Sequence, residues 1–409
     1  MNKSSFSYGK IFAIGSGFFA LTLVWTVYNT YMPLILGEFI ESRAVRGSIM
    51  GLDNLLAVAL IPVIGTWSDR LNTRFGGRLP FLIVGMPTAA LFFILIPFIS
   101  QMTLWMLLCV DIAFLFAMTI YRAPVISLMP DHTPVDKRST ANGVINFMGG
   151  VGALLALFAL APLYDISVSY PFVIGGMLLC LSFALLFVVV DRRPPYADVG
   201  TEDSEEAMAL KSLREDIANL VKPAFRGHFL ILSAIFLYFI GYSGLEAQFS
   251  VYATEYLGTS GGEAGFTLGF FSLAFVLFAI PAGLVGSRLG KSQTMLVGLI
   301  GLPAIFLIMP WITSLTLLKI LLFMGGIAWS LINVQAYPLV ADLGGTTKIG
   351  FFTGMYYLFS MASSVIAPAT LGLTMDVFGH PALFYSAAAS FVIAFFLLRK
   401  GMHIVSVIK

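Results

Sequence analysis

Asp53, Asp111, Arg122 and Glu246 are charged side chains set deep inside long apolar runs of this 409-residue chain. A charge in hydrocarbon is costly, so each should face a cavity or a partner, and each is a candidate for carrying a proton or gripping a polar solute. Burial favours a neutral carboxyl and a nearby cation favours the carboxylate, so an acid in such a setting can exchange its proton as its surroundings change. Asp111 reads as a proton carrier or as a permanently paired structural charge, and Asp53, with Asn54 beside it, divides the same way. Arg122 stands eleven residues after Asp111 on the same helix face. It lies about 16 Å farther along the axis, too far for a direct pair. A solute of disaccharide length, or a third group such as Asp53, could join the two. Arg122 is also near enough to a span end to snorkel to the surface. Glu246 sits among Gly241, Gly244 and Gln248, where the pattern predicts either an interrupted helix or a helix-to-helix hydrogen bond.

The elements that must hold these residues follow from composition. Hydrophobic residues make up 58% of the chain and charged ones 11%, against about 25% charged in a soluble domain. A water-soluble globule is excluded, and little is left for an enzyme domain outside the membrane. Runs of about twenty apolar residues cross a bilayer. They predict spans near 11–36, 46–68, 79–99, 103–129, 140–163 and 170–190, then near 228–256, 264–286, 293–312, 314–341, 349–375 and 381–398. The expectation is an all-α membrane protein of twelve transmembrane helices: an N-terminal six-helix bundle over 1–190, a linker over 191–226 and a C-terminal bundle over 227–409. The linker holds 14 of the 44 charged residues, and its middle, SEEAMALKSLREDIANLV, predicts a surface helix started by Ser204. The polar N-terminal decapeptide runs into a segment too long for a signal h-region, so the first span is expected to be retained. With both termini cytoplasmic, 19 of the 23 Lys and Arg lie inside, and Arg43 and Arg46 are left outside. That asymmetry fits an even number of spans. Cys109 and Cys180 lie in apolar runs and read as small core residues, with neither a disulfide framework nor a metal site on offer. A net charge of +2 gives no basic surface for nucleic acid.

The two sets of spans echo each other. Pro62, Gly65, Asp69 and Arg70 at the end of span 2 match Pro281, Gly283, Ser287 and Arg288 at the end of span 8, at an offset near 218, and Pro124 matches Pro338 at 214. Such repetition marks transporters built from two pseudo-symmetric six-helix halves, with the substrate site between them. The stretch Gly65-Thr-Trp-Ser-Asp69-Arg70, continuing through Arg74, Gly76, Gly77 and Arg78, resembles the loop 2–3 signature of the major facilitator superfamily. Physically, the Gly allows close helix approach, the Asp suits a neighbouring helix N-terminus, and the arginines hold acidic partners or anionic headgroups. More specifically, GTWSDRLNTRFGGRLPF is similar to the sequence carried here by plant sucrose transporters, their animal relatives and the wider glycoside-pentoside-hexuronide cation symporters. Asp111 and Arg122, in LLCVDIAFLFAMTIYRAP, resemble the acid and arginine at the same spacing in the fourth helix of the plant sucrose transporters. That resemblance implies proton coupling for Asp111 and a place in the sugar site for Arg122. It covers about residues 50–155, and the second half resembles the family mainly in topology. Two positions depart from the pattern: Pro124 follows the arginine instead of preceding it, and Gly77 stands where an arginine is commoner.

A sugar is gripped by planar hydrogen-bonding groups and flat aromatic faces. The spans supply both at helical spacing: Trp25 with Asn29, Asn142 with Asn146, Trp329 with Asn333, the stripe Tyr238, Tyr242 and Glu246, and Tyr356 with Ser360. Each reads equally as the small and polar glue between membrane helices. The substrate-binding candidates are Arg122, Trp25, Asn29, Asn54, Asn142, Asn146, Tyr242, Glu246, Trp329 and Asn333, beside the proton-coupling pair Asp111 and Asp53. Gating falls to Gly65, Asp69, Arg70, Arg74, Arg78, Asp131, Arg138 and Arg288. His132, His228, His380 and His403 all lie at loops or span ends, which argues against a histidine relay. No phosphate-binding loop, metal-ligand cluster or Ser/His/Asp arrangement appears, so neither an enzyme nor a cofactor is expected. The resemblance implies a proton-coupled symporter of a disaccharide or related glycoside in the cell membrane, functional as a monomer, with H⁺ as coupling ion and Na⁺ as the alternative. Two other readings stand beside it: a proton-driven exporter of amphipathic molecules, which the many Phe and Met fit, and a non-transporting sugar sensor.

Overall fold

The computed structural model describes residues 7–71, 73–196, 225–343 and 349–408. Among them are twelve helices long and apolar enough to cross a membrane. They are α1 (Tyr8–Gly37), α2 (Arg43–Arg70), α3 (Leu79–Ile99), α4 (Leu104–Asp131), α5 (Thr140–Ile166) and α6 (Ser169–Val189), then α7 (Arg226–Glu255), α8 (Gly261–Leu289), α9 (Lys291–Trp311), α10 (Leu315–Leu343), α11 (Phe351–Phe378) and α12 (Ala382–Ser406). A helix satisfies its own backbone polar groups, which hydrocarbon cannot do. Prolines inside α1, α2, α4, α8, α9, α10 and α11 are tolerated because neighbouring helices and local adjustments absorb the lost hydrogen bond. One such adjustment is the π-helical turn Leu155–Leu160 within α5.

Two helices outrun the apolar segments that predict them. α2 begins at Arg43 because Ser42 caps it, accepting from the Val45 N–H at 3.3 Å, so a polar first turn precedes the apolar run. α12 continues through Arg399 and Lys400 to Ser406, since lysine and arginine end an apolar run without ending a helix. The linker helix expected after Ser204 lies outside the described residues.

By packing, the chain divides into two units. Unit 1 comprises Met1–Phe39, Leu55–Gly200 and Ser260–Phe266; unit 2 comprises Ile40–Asn54, Thr201–Thr259 and Thr267–Lys409. In unit 1, α1 packs on α5 and α6, and α3 on α4 and α6; in unit 2, α7 packs on α11 and α12, and α9 on α10 and α12. The second pairing is the first shifted by six helices, as the sequence echo requires. Aromatic rings knit each interior. Phe93 lies 5.3 Å from Phe114 and 4.9 Å from Phe172 in unit 1, and Phe306 lies 5.8 Å from both Phe384 and Phe391 in unit 2. The start of α2 lies so close to α11 that a Cβ at Gly47 would stand 2.2 Å from the Pro368 carbonyl oxygen.

The two cysteines correct the sequence reading. Both Cys109 and Cys180 are free and exposed on the helix surface rather than in the core. The lipid-facing side of a membrane helix is as apolar as its packed side, so an apolar run does not reveal which side a residue takes.

Candidate functional site

Asp111 is fully buried in unit 1, and its Oδ1 accepts a 2.9 Å hydrogen bond from the equally buried Tyr28 hydroxyl of α1. Thr103 caps the start of α4 by accepting from the Met106 N–H, which fixes the turns that present Asp111. The Tyr28 ring packs against Phe114 at 5.2 Å and stacks on Trp25, one turn back on α1, at 5.5 Å and 25°. Trp25 in turn has the Arg122 guanidinium 5.7 Å from its ring centroid, within the range of a cation–π contact. The two charges of α4 that cannot reach each other along their own helix are thus joined through Tyr28 and Trp25 of α1. Tyr28 is not among the sequence candidates, although a tyrosine hydroxyl in an apolar span needs a polar partner, and that need is its signal in the sequence. Asn29 is half-buried on the same helix. Asn142 and Asn146 are exposed on α5, where the Asn146 amide donates to the Asn142 carbonyl at 2.8 Å.

Unit 2 builds its polar interior differently. Glu246 bonds to the Tyr242 hydroxyl one turn earlier on α7, and the Tyr242 ring lies flat on Trp329 of α10 at 4.1 Å and 7°. Tyr238 and Phe239 meet Trp329 edge-on at 5.8 and 5.7 Å, so Trp329, 1% exposed, is enclosed by rings. Asn333 is half-buried one turn on. Of the two alternatives at Gly241 and Gly244, the interrupted helix is excluded because α7 is continuous, and the Glu246 bond to Tyr242 lies within α7. Those glycines instead admit neighbours: a Cβ at Gly241 would stand 3.1 Å from the Ala387 carbonyl oxygen, and one at Gly244 3.0 Å from that of Ala367. Asp53 and Asn54 also group with unit 2. Asp53 is buried and its Oδ1 accepts from the Asn54 amide at 2.7 Å.

The loop after α2 is tied together by Arg78. Its guanidinium donates to Asp131 at 2.9 Å and also bonds Asp69 and Ser68. Burial by itself would lower the Arg78 pKa, but the hydrogen bonds and charges of Asp131 and Asp69 outweigh it and hold the value above its ordinary one. The turn before it is tight: the Thr73 hydroxyl donates to the Gly76 carbonyl at 2.7 Å, with Gly76 at φ 84°. A Cβ at Gly77 would stand 2.5 Å from the Ser68 carbonyl oxygen, which accounts for glycine where an arginine is commoner. Gly65 departs from its expected role, because a Cβ there would meet nothing within 4 Å. Close approach is required at Gly77 instead. Arg74 lies 4.7 Å from the Phe75 ring, Arg138 reaches the Thr133 carbonyl at 3.4 Å, and Arg70 and Arg288 are exposed. Beside this cluster His132 is buried, with Nδ1 donating to the Leu128 carbonyl at 2.8 Å and Nε2 accepting the Asp191 N–H at 3.2 Å. Burial pushes its imidazole below the ordinary histidine value, aided by Lys10, against the pull of the Leu128 carbonyl and of Asp191 and Asp131. Unit 2 echoes the arrangement in miniature, with Lys291 at the start of α9 paired to Asp342 at the end of α10.

A charged cluster outside the sequence candidates lies at the start of α2. In unit 2, Arg43 bonds Glu255 at 2.6 Å and Asp376 at 3.2 Å, while Arg46 bonds Glu255 at 2.8 Å. Asp376 also accepts the Arg43 and Ala44 N–H groups, both at 3.0 Å, capping α2. The signal was the two arginines left over from the charge asymmetry, which needed acidic partners. Among the described residues no group of three or more His, Cys, Asp or Glu is placed to hold a metal ion.

A family model described as Major Facilitator Superfamily matches residues 14–256 and 231–403. Among curated proteins, the chain is 28% identical over 308 residues to a class D tetracycline resistance protein of Salmonella ordonez, across 73% of each chain. It is 23% identical over 310 residues to the isoprimeverose transporter of Lactiplantibacillus pentosus, across 73% of this chain and 64% of that protein. To an uncharacterized symporter of Synechocystis it is 28% identical over 272 residues, across 63% of this chain and 48% of the symporter. Of solved structures, the nucleoside transporter NupG aligns with a TM-score of 0.76 at 12% identity, across 96% of this chain and 99% of that one. A bacterial homolog of the human lysosomal transporter Spinster aligns at 0.72 and 19% identity, across 98% and 96%.

Proposed function

Since the chain belongs to the major facilitator superfamily, we propose that it is a proton-coupled symporter of a disaccharide or related glycoside, working by alternating access. The family and the relatives named above are transporters of small molecules, not enzymes. The observation that carries the finer reading is the fully buried Asp111 bonded to Tyr28 and linked through Trp25 to Arg122. A carboxyl so deeply buried can take or lose a proton only when the protein opens a path to it, which is what coupling to a proton gradient demands. The isoprimeverose transporter supports a sugar-containing substrate.

In this reading Asp111, with Asp53 as second candidate, carries H⁺. Arg122, Trp25, Asn29, Asn54, Asn142 and Asn146, together with Tyr242, Glu246, Trp329 and Asn333, supply substrate contacts. Gly65, Asp69, Arg70, Arg74, Arg78, Asp131, Arg138 and Arg288 form the gate at the cytoplasmic ends of the helices. Two six-helix bundles, 1–190 and 227–409, are joined by the linker 191–226, with both termini in the cytoplasm and the monomer as the working unit in the cell membrane. Sodium is the alternative coupling ion. The test is a panel of sucrose, maltose, isoprimeverose and simple pentosides added outside proteoliposomes that hold a pH-sensitive dye. Acidification of the lumen on adding at least one of them is expected, and its absence across the panel, with sodium absent and present, defeats the reading.

A second reading, proton-driven export of amphipathic molecules, is favoured by the tetracycline resistance relative and by the aromatic enclosure around Trp329. Energised vesicles that accumulate a tetracycline but release no proton with any glycoside would select it.

A further inference from the structure

We infer that the Tyr28–Trp25 stack on α1 is the mechanical link by which the charge on Asp111 controls Arg122, with Tyr28 as the positioning residue. The inference rests on the proton-carrier reading of Asp111 and goes beyond it by naming what the proton moves. On α4 the two charges stand eleven residues apart, about 16 Å along the axis, so neither feels the other strongly through its own helix. Across α1 the path has three steps: a 2.9 Å hydrogen bond from Tyr28 to Asp111, a 5.5 Å stack of Tyr28 on Trp25, and Arg122 5.7 Å from the Trp25 ring centroid. Tyr28 is fully buried and backed by Phe114, so a change at its hydroxyl is transmitted to its ring rather than lost in free rotation.

The hydrogen bond is the step that responds to a proton. With Asp111 ionised, the phenol donates to a carboxylate, a charge-assisted bond roughly twice as strong as a neutral one. When a proton from water binds Asp111, the same oxygen becomes part of a neutral acid and its hold on Tyr28 weakens. Tyr28 then settles on its packing contacts, the stack with Trp25 shifts, and the guanidinium that rests on Trp25 is released to a polar substrate. Of the helices packed on α4, α3 carries no ionisable residue. α1 brings Tyr28, with Tyr31 farther along and Tyr8 and Lys10 at its other end, and α5 has Tyr164 and Asp165 in its last turn. Tyr28 is the one of these with a hydroxyl bonded to the carboxylate.

The experiment needs no substrate. The full chain, labelled with fluorotryptophan in nanodiscs, is followed by fluorine NMR across pH, with the Trp25 resonance assigned by its loss in Trp25→Phe. Protonation of Asp111 is followed separately by the infrared carboxylic band that Asp111→Asn removes. The wild-type chain should show the Trp25 resonance moving at the same midpoint as the Asp111 band. In Tyr28→Phe, which keeps the ring and loses the hydroxyl, the band should still titrate while the Trp25 response is lost. Phe93→Leu disturbs the packing one ring behind Phe114 while Tyr28 keeps its hydroxyl and its backing, and should preserve the response; a merely structural role would let this variant abolish it too. A Trp25 resonance that follows Asp111 unchanged in Tyr28→Phe, or that ignores Asp111 in the wild type, overturns the inference and leaves the proton-carrier reading standing. An Asp111 band that never titrates in the wild type overturns both.

Discussion

Each unit of this transporter hides one acid against one tyrosine, and the two pairs are wired differently. In unit 1 the acid is on α4 and the tyrosine on α1. In unit 2 Tyr242 and Glu246 are successive turns of α7. A bond between helices changes the energy of their packing when its acceptor is neutralised. A bond within one helix changes little beyond that helix. Unit 1 also carries a guanidinium at the far end of its aromatic path, whereas unit 2 ends its path in the enclosed face of Trp329. In the proposed symport, Asp111 of unit 1 carries the proton and Glu246 of unit 2 touches substrate.

The largest expected effect sets the acids against each other. Asp111→Asn should abolish gradient-driven uptake while substrate counterflow continues. Glu246→Gln should leave coupling intact and weaken apparent affinity about tenfold, the worth of a single hydrogen bond to a charged group. Equal loss of coupling in both variants breaks the contrast.

Truncating the tryptophans compares a fully buried ring in unit 2 with a half-buried one in unit 1. Trp329→Ala should cost about 4 kcal/mol of stability, seen as a lower midpoint of thermal unfolding in detergent. Trp25→Ala, removing a half-buried ring, should cost clearly less and act instead on transport. The rim pairs are expected to differ next. Arg78→Ala leaves Asp131 buried without its cation and should cost about 3 kcal/mol, whereas Lys291→Ala, at an exposed pair, should cost at most about 1 kcal/mol. The same unfolding measurement compares them, and equal costs would erase this difference between the units.

The smallest effect is a pH slope confined to unit 1. The folded-state value of His132 lies below its unfolded one, so the contribution of the neutral ring is present above the ordinary histidine value and is lost as pH falls through the lowered one. His132→Gln should flatten that acid limb, and a limb unchanged in the variant would assign it to other groups.

Much of this architecture is legible in the residues themselves. Lengths of apolar sequence place all twelve helices, because a bilayer leaves the backbone no alternative. The cost of charge in hydrocarbon picks out Asp111, Arg122 and Glu246. Legibility fails where lateral contacts decide. Nothing in an apolar run tells that Cys109 faces outward or that Tyr28 meets Asp111, since both depend on how helices rotate against each other. Gly241 and Gly244 leave a break open because the residue type is common to breaks and to close approaches. The partners of Arg43 and Arg46 lie more than two hundred residues away in sequence, on α7 and α11, beyond any local pattern.

Proton coupling through Asp111 is tested most directly by substrate-driven proton entry into proteoliposomes for the wild-type chain and for Asp111→Asn, with counterflow recorded in parallel. Coupling through Asp111 predicts proton entry with the wild type, none with Asp111→Asn, and counterflow in both. Proton entry that persists in Asp111→Asn would contradict it.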